Sequence, residues 1–103
     1  MNKAIRLDDE AAEELEAAME WYEARRSGLG SELVAATREA LRRVQARPKA
    51  WSLVPGVPPE LNVRRCLLRR FPYAVVYIEV ESEIRVLAIA HGSRQPGYWR
   101  PRT

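Results

Sequence analysis

Three strand-like runs, joined by very short links, occupy the second half of the chain and leave few possible folds. Residues 61–70, 73–80 and 84–91 are rich in Val, Ile, Leu and Tyr. Phe71-Pro72 separates the first run from the second, and Glu81-Ser82-Glu83 separates the second from the third. Because links this short join neighbouring strands only as hairpins, the three runs predict an antiparallel sheet.

The side-chain pattern of these runs indicates which of them lies inside the sheet. Residues 84–91 are apolar on both faces, which predicts a central strand. In residues 73–80 the apolar residues Val76, Ile78 and Val80 share one face, which we expect to be the core side.

The first half of the chain follows helical spacing after a short initial strand at residues 3–7. Asp8 or Asp9 can cap a first helix that carries acidic residues in its first turn. The turn at residues 27–30 leads into a second amphipathic helix that Pro48 ends. The element order is therefore β-α-α-β-β-β. It predicts an α+β fold in which a helical hairpin packs on one face of an antiparallel sheet.

Length and composition point to one domain spanning residues 1–103 in a cytoplasmic protein. The chain is 47% hydrophobic and 30% charged, which suits a core with a charged surface. Its longest apolar run has six residues, far fewer than a membrane helix needs, so we expect no membrane partner. The lone Cys66 can form no intramolecular disulfide, and we expect it to be a buried, inert thiol.

The net charge of +3 conceals a strong segregation of charge. Residues 1–34 contain nine acidic and four basic side chains, whereas residues 35–103 contain five acidic and thirteen basic ones. Such a basic second half predicts a polyanion or an acidic protein as partner. A preference for arginine codons explains part of the excess of arginine over lysine, but it does not explain the segregation.

Two segments of the basic half contain the candidate functional residues. Residues 64–70 hold two arginine pairs, and strand alternation points Arg65 and Arg69 to one side and Arg64 and Arg70 to the other. Residues 91–100 follow the central strand, in the kind of loop that displays binding and catalytic groups. There, His91, Arg94 and Tyr98 could cleave a phosphodiester by acid–base chemistry, or Tyr98 and Trp99 could fold the tail onto the core. No metal-ligand or cofactor motif accompanies them, so we expect no metal and no cofactor.

Three stretches of the sequence carry a resemblance to a known family. They are the end of the acidic first helix with the following Gly28-Leu29-Gly30, then residues 63–77, and then residues 86–99. Together they resemble the RelE/ParE superfamily of type II toxin–antitoxin toxins, often called plasmid stabilisation proteins. The resemblance implies a growth-inhibiting toxin neutralised by a cognate antitoxin with an acidic, amphipathic C-terminal tail. It also implies that operator DNA is contacted only through that antitoxin.

The superfamily has two activities, and the resemblance favours the ParE-like branch. ParE-like members poison DNA gyrase, and that is the function we expect, with no enzymatic activity of the toxin itself. RelE-like members cut mRNA on the ribosome, and this chain has only Lys49 where they carry several lysines. An inactive homologue that only binds a partner or acts as a co-repressor is the third possibility.

The matching positions define two expected sets of site residues. If the chain is a RelE-like endoribonuclease, the catalytic positions are Arg65, Arg70, His91, Arg94 and Tyr98. For contact with the target or the antitoxin, the expected positions are Arg64, Arg65, Arg69, Arg70, Tyr73, Tyr77, Arg94, Trp99 and Arg100.

Overall fold

A computed structural model describes residues 2–103 and contains two helices and four strands. In chain order these are β1 (Ala4–Leu7), α1 (Asp9–Arg25), α2 (Leu29–Ala46), β2 (Arg64–Leu67), β3 (Tyr73–Glu79) and β4 (Glu83–His91). This is the predicted β-α-α-β-β-β order, and the α+β class is confirmed. Within the described part of the chain, neither helix is long and apolar enough to cross a membrane.

The four strands form one sheet in the order β1-β4-β3-β2. The pairs β2–β3 and β3–β4 are antiparallel, as the short links require, and β4 is central. The expectation of a purely antiparallel sheet is wrong for β1, which pairs with β4 in parallel from Ala4 beside Glu83 to Leu7 beside Val86. A parallel pair needs a long crossover, and the helices with β2 and β3 supply it.

Strand β2 is shorter than the predicted run of residues 61–70. A 3-10 turn occupies Pro59–Leu61, and Asn62 then adopts a left-handed conformation with φ of 58°. At the other end, Arg70 has φ of 72°, which a strand does not allow. Arg69 and Arg70 therefore lie in the turn before β3, and strand alternation does not determine where their side chains point.

The helical hairpin covers one face of the sheet, as predicted. Its core contains Leu33 and Val44 from α2, together with Val75 and Tyr77 from β3. The Tyr77 ring is fully buried, and its hydroxyl donates a hydrogen bond of 2.7 Å to the Pro48 carbonyl. The helix-facing side of β3 is therefore the side of Val75 and Tyr77, not the predicted side of Val76 and Ile78.

The opposite face of the sheet is covered too, by two irregular segments of the chain. Val76, Leu87 and Ala88 form a second, smaller core there with Val63 and Trp99. Leu87 is an extra residue in β4, because the neighbouring positions Val86 and Ala88 pair with consecutive residues of β3. This bulge turns both Leu87 and Ala88 toward the second core.

Beyond the end of the shorter β1, side chains form hydrogen bonds with the backbone groups at the edge of β4. The Leu87 carbonyl accepts a hydrogen bond of 2.9 Å from Arg102, and the Ile89 amide donates one of 3.1 Å to Glu14. Arg102 and Glu14 also form an ion pair at 3.1 Å. These two side chains thus hold α1 and the C-terminal tail against the part of the β4 edge that does not pair with β1.

Asp8 precedes α1, but its side chain does not cap the helix. Its carboxylate accepts a hydrogen bond of 2.6 Å from Arg85 on β4 and one of 3.2 Å from Arg6. The bond from Arg85 holds the pKa of the Asp8 carboxyl below its ordinary value, despite the burial of that group.

Gly30 allows the two helices to approach closely where the hairpin begins. A Cβ at this position would lie 2.7 Å from the Met19 carbonyl oxygen and 2.9 Å from Glu23 Oε1. Glu23 accepts hydrogen bonds from the Gly28 and Gly30 amides, so its side chain is held in place.

We expect Gly30→Ala to lower the free energy of unfolding by about 2 kcal/mol, because the helices must separate to admit the methyl group. Urea denaturation followed by circular dichroism measures the change. Ser31→Ala, at the next and exposed position of the same helix, is the control and should remain within about 0.5 kcal/mol of the parent. Equal midpoints for the two variants would contradict the close helix contact.

Candidate interaction groove

A groove of about 690 Å³ lies on the sheet face opposite the helices. Leu67, Val76 and Ala90 of strands β2, β3 and β4 contribute to its lining. Residues 54–57 line one side, and Gly92 with residues 94–100 lines the other. Leu67 is 62% exposed here, an unusual degree of exposure for a leucine within a strand. The groove thus combines apolar side chains with walls made by two loops.

The charged groups of this groove are all basic. Arg65, Arg94 and Arg100 line it and are exposed, and His91 lies at the end of β4. Among the described residues, no Asp or Glu contributes to the lining. An apolar groove bordered only by basic groups suits an amphipathic partner that carries carboxylates or phosphates.

His91 is held in one orientation by its neighbours. Its Nδ1 accepts a hydrogen bond of 2.9 Å from the Ser93 amide, and the Ser93 hydroxyl lies 2.7 Å from the same atom. The Tyr73 ring packs edge to face against the imidazole, with 4.9 Å between the two ring centroids. Because Nδ1 accepts from an amide, the proton of the neutral imidazole lies on Nε2.

Tyr98 lines the groove, but its hydroxyl is bound elsewhere. It donates a hydrogen bond of 2.6 Å to Glu14 of α1, while the Arg94 guanidinium lies 3.9 Å from the centre of its ring. Burial, together with the bond to Glu14, raises the pKa of Tyr98. The side chain therefore fastens the tail to α1.

The arginines of residues 64–70 do not form one cluster. Arg65 alone of the four lines the groove. Arg69 pairs with Glu39 at 3.2 Å and Arg70 with Glu32 at 2.7 Å, both on α2. Arg64 donates a hydrogen bond of 2.6 Å to the Trp51 carbonyl. Of the five positions expected for nuclease chemistry, Arg70 thus points toward α2, and Tyr98 is bound through its hydroxyl to Glu14.

The aromatic positions expected at a contact surface differ in exposure. Tyr77 and Trp99 are buried, at 0% and 3% exposure, so neither presents its side chain to a partner. Tyr73 is partly buried and lines the groove. Neither Leu67 nor residues 54–57 were predicted from the sequence as part of a site. Alternation along β2 places Leu67 on the face opposite Cys66, but the pattern does not tell which of the two faces the helices cover.

Cys66 and the other potential ligands offer no reactive or metal centre in the part of the chain that the structure describes. Burial raises the pKa of the Cys66 thiol, which keeps it protonated. No group of three His, Cys, Asp or Glu side chains within residues 2–103 is placed to hold a metal ion.

Comparison with known proteins agrees with this architecture. Residues 5–96 match the family described as "ParE toxin of type II toxin-antitoxin system, parDE". The chain therefore belongs to the ParE toxin family, within the RelE/ParE superfamily, and is a type II toxin. No curated protein matches it.

A solved structure shows the same fold. It is titled "Chromosomal ParDE TA system from P. aeruginosa" and superposes with a TM-score of 0.73 at 21% identity. The match covers 86% of this chain and 95% of that one.

We expect Tyr98→Phe to lower the free energy of unfolding by about 1.5 kcal/mol, because Glu14 loses one charge-assisted hydrogen bond. Urea denaturation at neutral pH measures the loss. Tyr73→Phe is the matched control, because the Tyr73 hydroxyl has no hydrogen-bond partner within residues 2–103 and Tyr73 lines the same groove. Identical stabilities of the two variants would mean that the tail is not fastened through this bond.

Proposed function

We propose that this toxin poisons DNA gyrase by protein–protein contact. The observation that supports this choice is the character of the groove, where exposed arginines surround apolar strand residues. Such a surface is suited to binding a protein segment. Two of the five positions expected for RNA cleavage, Arg70 and Tyr98, are engaged with Glu32 and Glu14.

A cognate antitoxin is the second partner that we propose, with the groove as its docking place. An amphipathic tail could set apolar side chains against Leu67 and Val57 and carboxylates against Arg65, Arg94 and Arg100. Any contact with operator DNA would then be made by the antitoxin. The acidic helix α1 lies on the other face of the sheet and does not repel such a tail.

A supercoiling reaction tests the gyrase proposal. The purified toxin, free of its partner, is added to DNA gyrase and relaxed plasmid. We expect inhibited supercoiling and trapped, cleaved DNA, and growth arrest with DNA damage when the gene is induced in cells. Normal supercoiling by gyrase in the presence of a folded toxin that still arrests growth would refute the proposal.

Single charge reversals test the docking of the antitoxin. We expect Arg65→Glu and Arg94→Glu each to weaken binding of the cognate antitoxin by about tenfold or more, because an arginine–carboxylate contact becomes a repulsion. Isothermal titration calorimetry gives the affinities. Arg47→Glu makes the same charge change at an exposed position outside the groove and should have little effect. Equal losses for all three variants would indicate a general effect of net charge and not a docking site.

Ribosome-dependent cleavage of mRNA is the alternative, and one observation favours it. Arg65, His91 and Arg94 line the same groove, and His91 presents Nε2 while Nδ1 is occupied. If this chemistry operates, replacing any of the three by Ala should reduce mRNA cleavage by about 100-fold or more. Primer extension on translated mRNA is the assay. A toxin inactive on both gyrase and mRNA would be a partner-binding or co-repressor module.

A further inference from the structure

The outer face of the helical hairpin is divided by charge. Helices α1 and α2 cover the sheet with one side each, and their other sides face solvent. On α1 the exposed side carries Glu13, Glu16 and Glu20. On α2 it carries Arg38 and Arg42. One helix of the face is therefore acidic, and its neighbour is basic.

These five charges have no ion-pair partner among residues 2–103. The described part of the chain contains ten ion pairs, and none of them includes a member of this set. By contrast, Glu32 and Glu39, on the flank of α2 beside β2, both pair with arginines of the turn before β3. The outer face thus holds neighbouring charges of both signs that remain available to another molecule.

The close contact at Gly30 sets the levels of the charges along the two antiparallel helices. Gly30 of α2 lies against the Met19 carbonyl and the Glu23 side chain, so it is level with about residue 21 of α1. At about 1.5 Å per residue, Arg38 is then near the level of Glu13. Arg42 is near the level of Asp9, which is exposed and belongs to none of the ten ion pairs among residues 2–103.

This pattern makes the face complementary to itself under one particular rotation. A two-fold axis parallel to the helices places α1 of one copy over α2 of the other. This rotation does not change the position of any residue along the helix direction. Each Arg38 then faces a Glu13, and each Arg42 faces an Asp9. A two-fold axis perpendicular to the helices would instead place acidic α1 over acidic α1, which repulsion disfavours.

We propose that a second copy of this chain docks on this face and forms a four-helix, two-fold symmetric dimer. Ala12, Ala17 and Ala35 are exposed on the same helices and are small enough to allow close approach. Helices of 17 and 18 residues give a face of roughly 26 by 20 Å, which buries about 1,000 Å² in total. That area is at the low end for a specific interface, so the dimer dissociates in the micromolar range and weakens with salt.

The dimer leaves both grooves free, because the groove and the helical hairpin lie on opposite faces of the sheet. Two copies joined through their helices would present two grooves pointing away from each other. Such a particle could engage two partner segments at once and gain avidity where the partner is itself dimeric.

Sedimentation velocity over a range of protein concentrations tests the association directly. We expect a monomer–dimer equilibrium at low ionic strength and a dissociation constant at least about tenfold higher at high salt, because the interface depends on exposed charges. A monomer at every concentration, or a dimer of the same strength at high salt, would overturn the proposal.

Two charge-reversed variants and their mixture distinguish this dimer from any other. Arg38→Glu/Arg42→Glu leaves only acidic groups at the facing positions, and Asp9→Arg/Glu13→Arg leaves only basic ones, so each variant alone should be monomeric. Their equimolar mixture should form a heterodimer, since every facing pair is again of opposite sign. Arg65→Glu/Arg100→Glu changes the net charge equally on the groove side and should self-associate like the parent.

Circular dichroism checks that each variant is folded, and an unfolded variant is replaced by its single-site reversal, Arg38→Glu or Glu13→Arg. Homodimers of the reversed variants, or a mixture that remains monomeric, would show that these helices do not meet in the proposed way.

Discussion

Strand β4 is apolar on both faces, and the rest of the fold depends on covering both of them. Val86 and Ile89 face the helical hairpin, whereas Leu87 and Ala88 face the second core. No second layer of helices exists in the described chain to cover the latter pair, so irregular segments and Trp99 do so. The groove lies between these two segments. It is therefore a consequence of covering the second apolar face of β4 with irregular segments.

The main features of the fold could be predicted from local patterns, and the misses have tertiary causes. Short links determined the pairing of β2, β3 and β4, and helical spacing determined the hairpin. No local pattern indicates that β1 pairs with β4 in parallel. The two strands are far apart in sequence, and their pairing depends on how the helices and the other strands pack. The helix-facing side of β3 was predicted wrongly for a related reason. Both faces of this strand are buried, so apolar alternation does not tell which face packs against the helices.

The same distinction applies to the site residues. Alternation separates Arg65 from Arg64 along β2 but does not tell which of the two faces is open, whereas the loop position of Arg94 and the strand-end position of His91 are local features. The partners of Arg70 and Tyr98 could not be predicted because they are distant in sequence, by 38 residues for Glu32 and 84 for Glu14. A left-handed backbone at Arg70 also redirects a side chain that a continuous strand would have aimed elsewhere.

The segregation of charge along the sequence becomes in part a segregation in space. The acidic first third of the chain forms α1 on one side of the sheet, whereas the basic remainder supplies α2 on that side and the groove on the other. A toxin that binds an acidic segment gains from this separation, because its own carboxylates neither occupy the groove nor repel the partner. Glu14 is the acid that approaches the groove, through Tyr98. Its carboxylate is already satisfied by Tyr98, Arg102 and the Ile89 amide, so its charge is compensated within the chain.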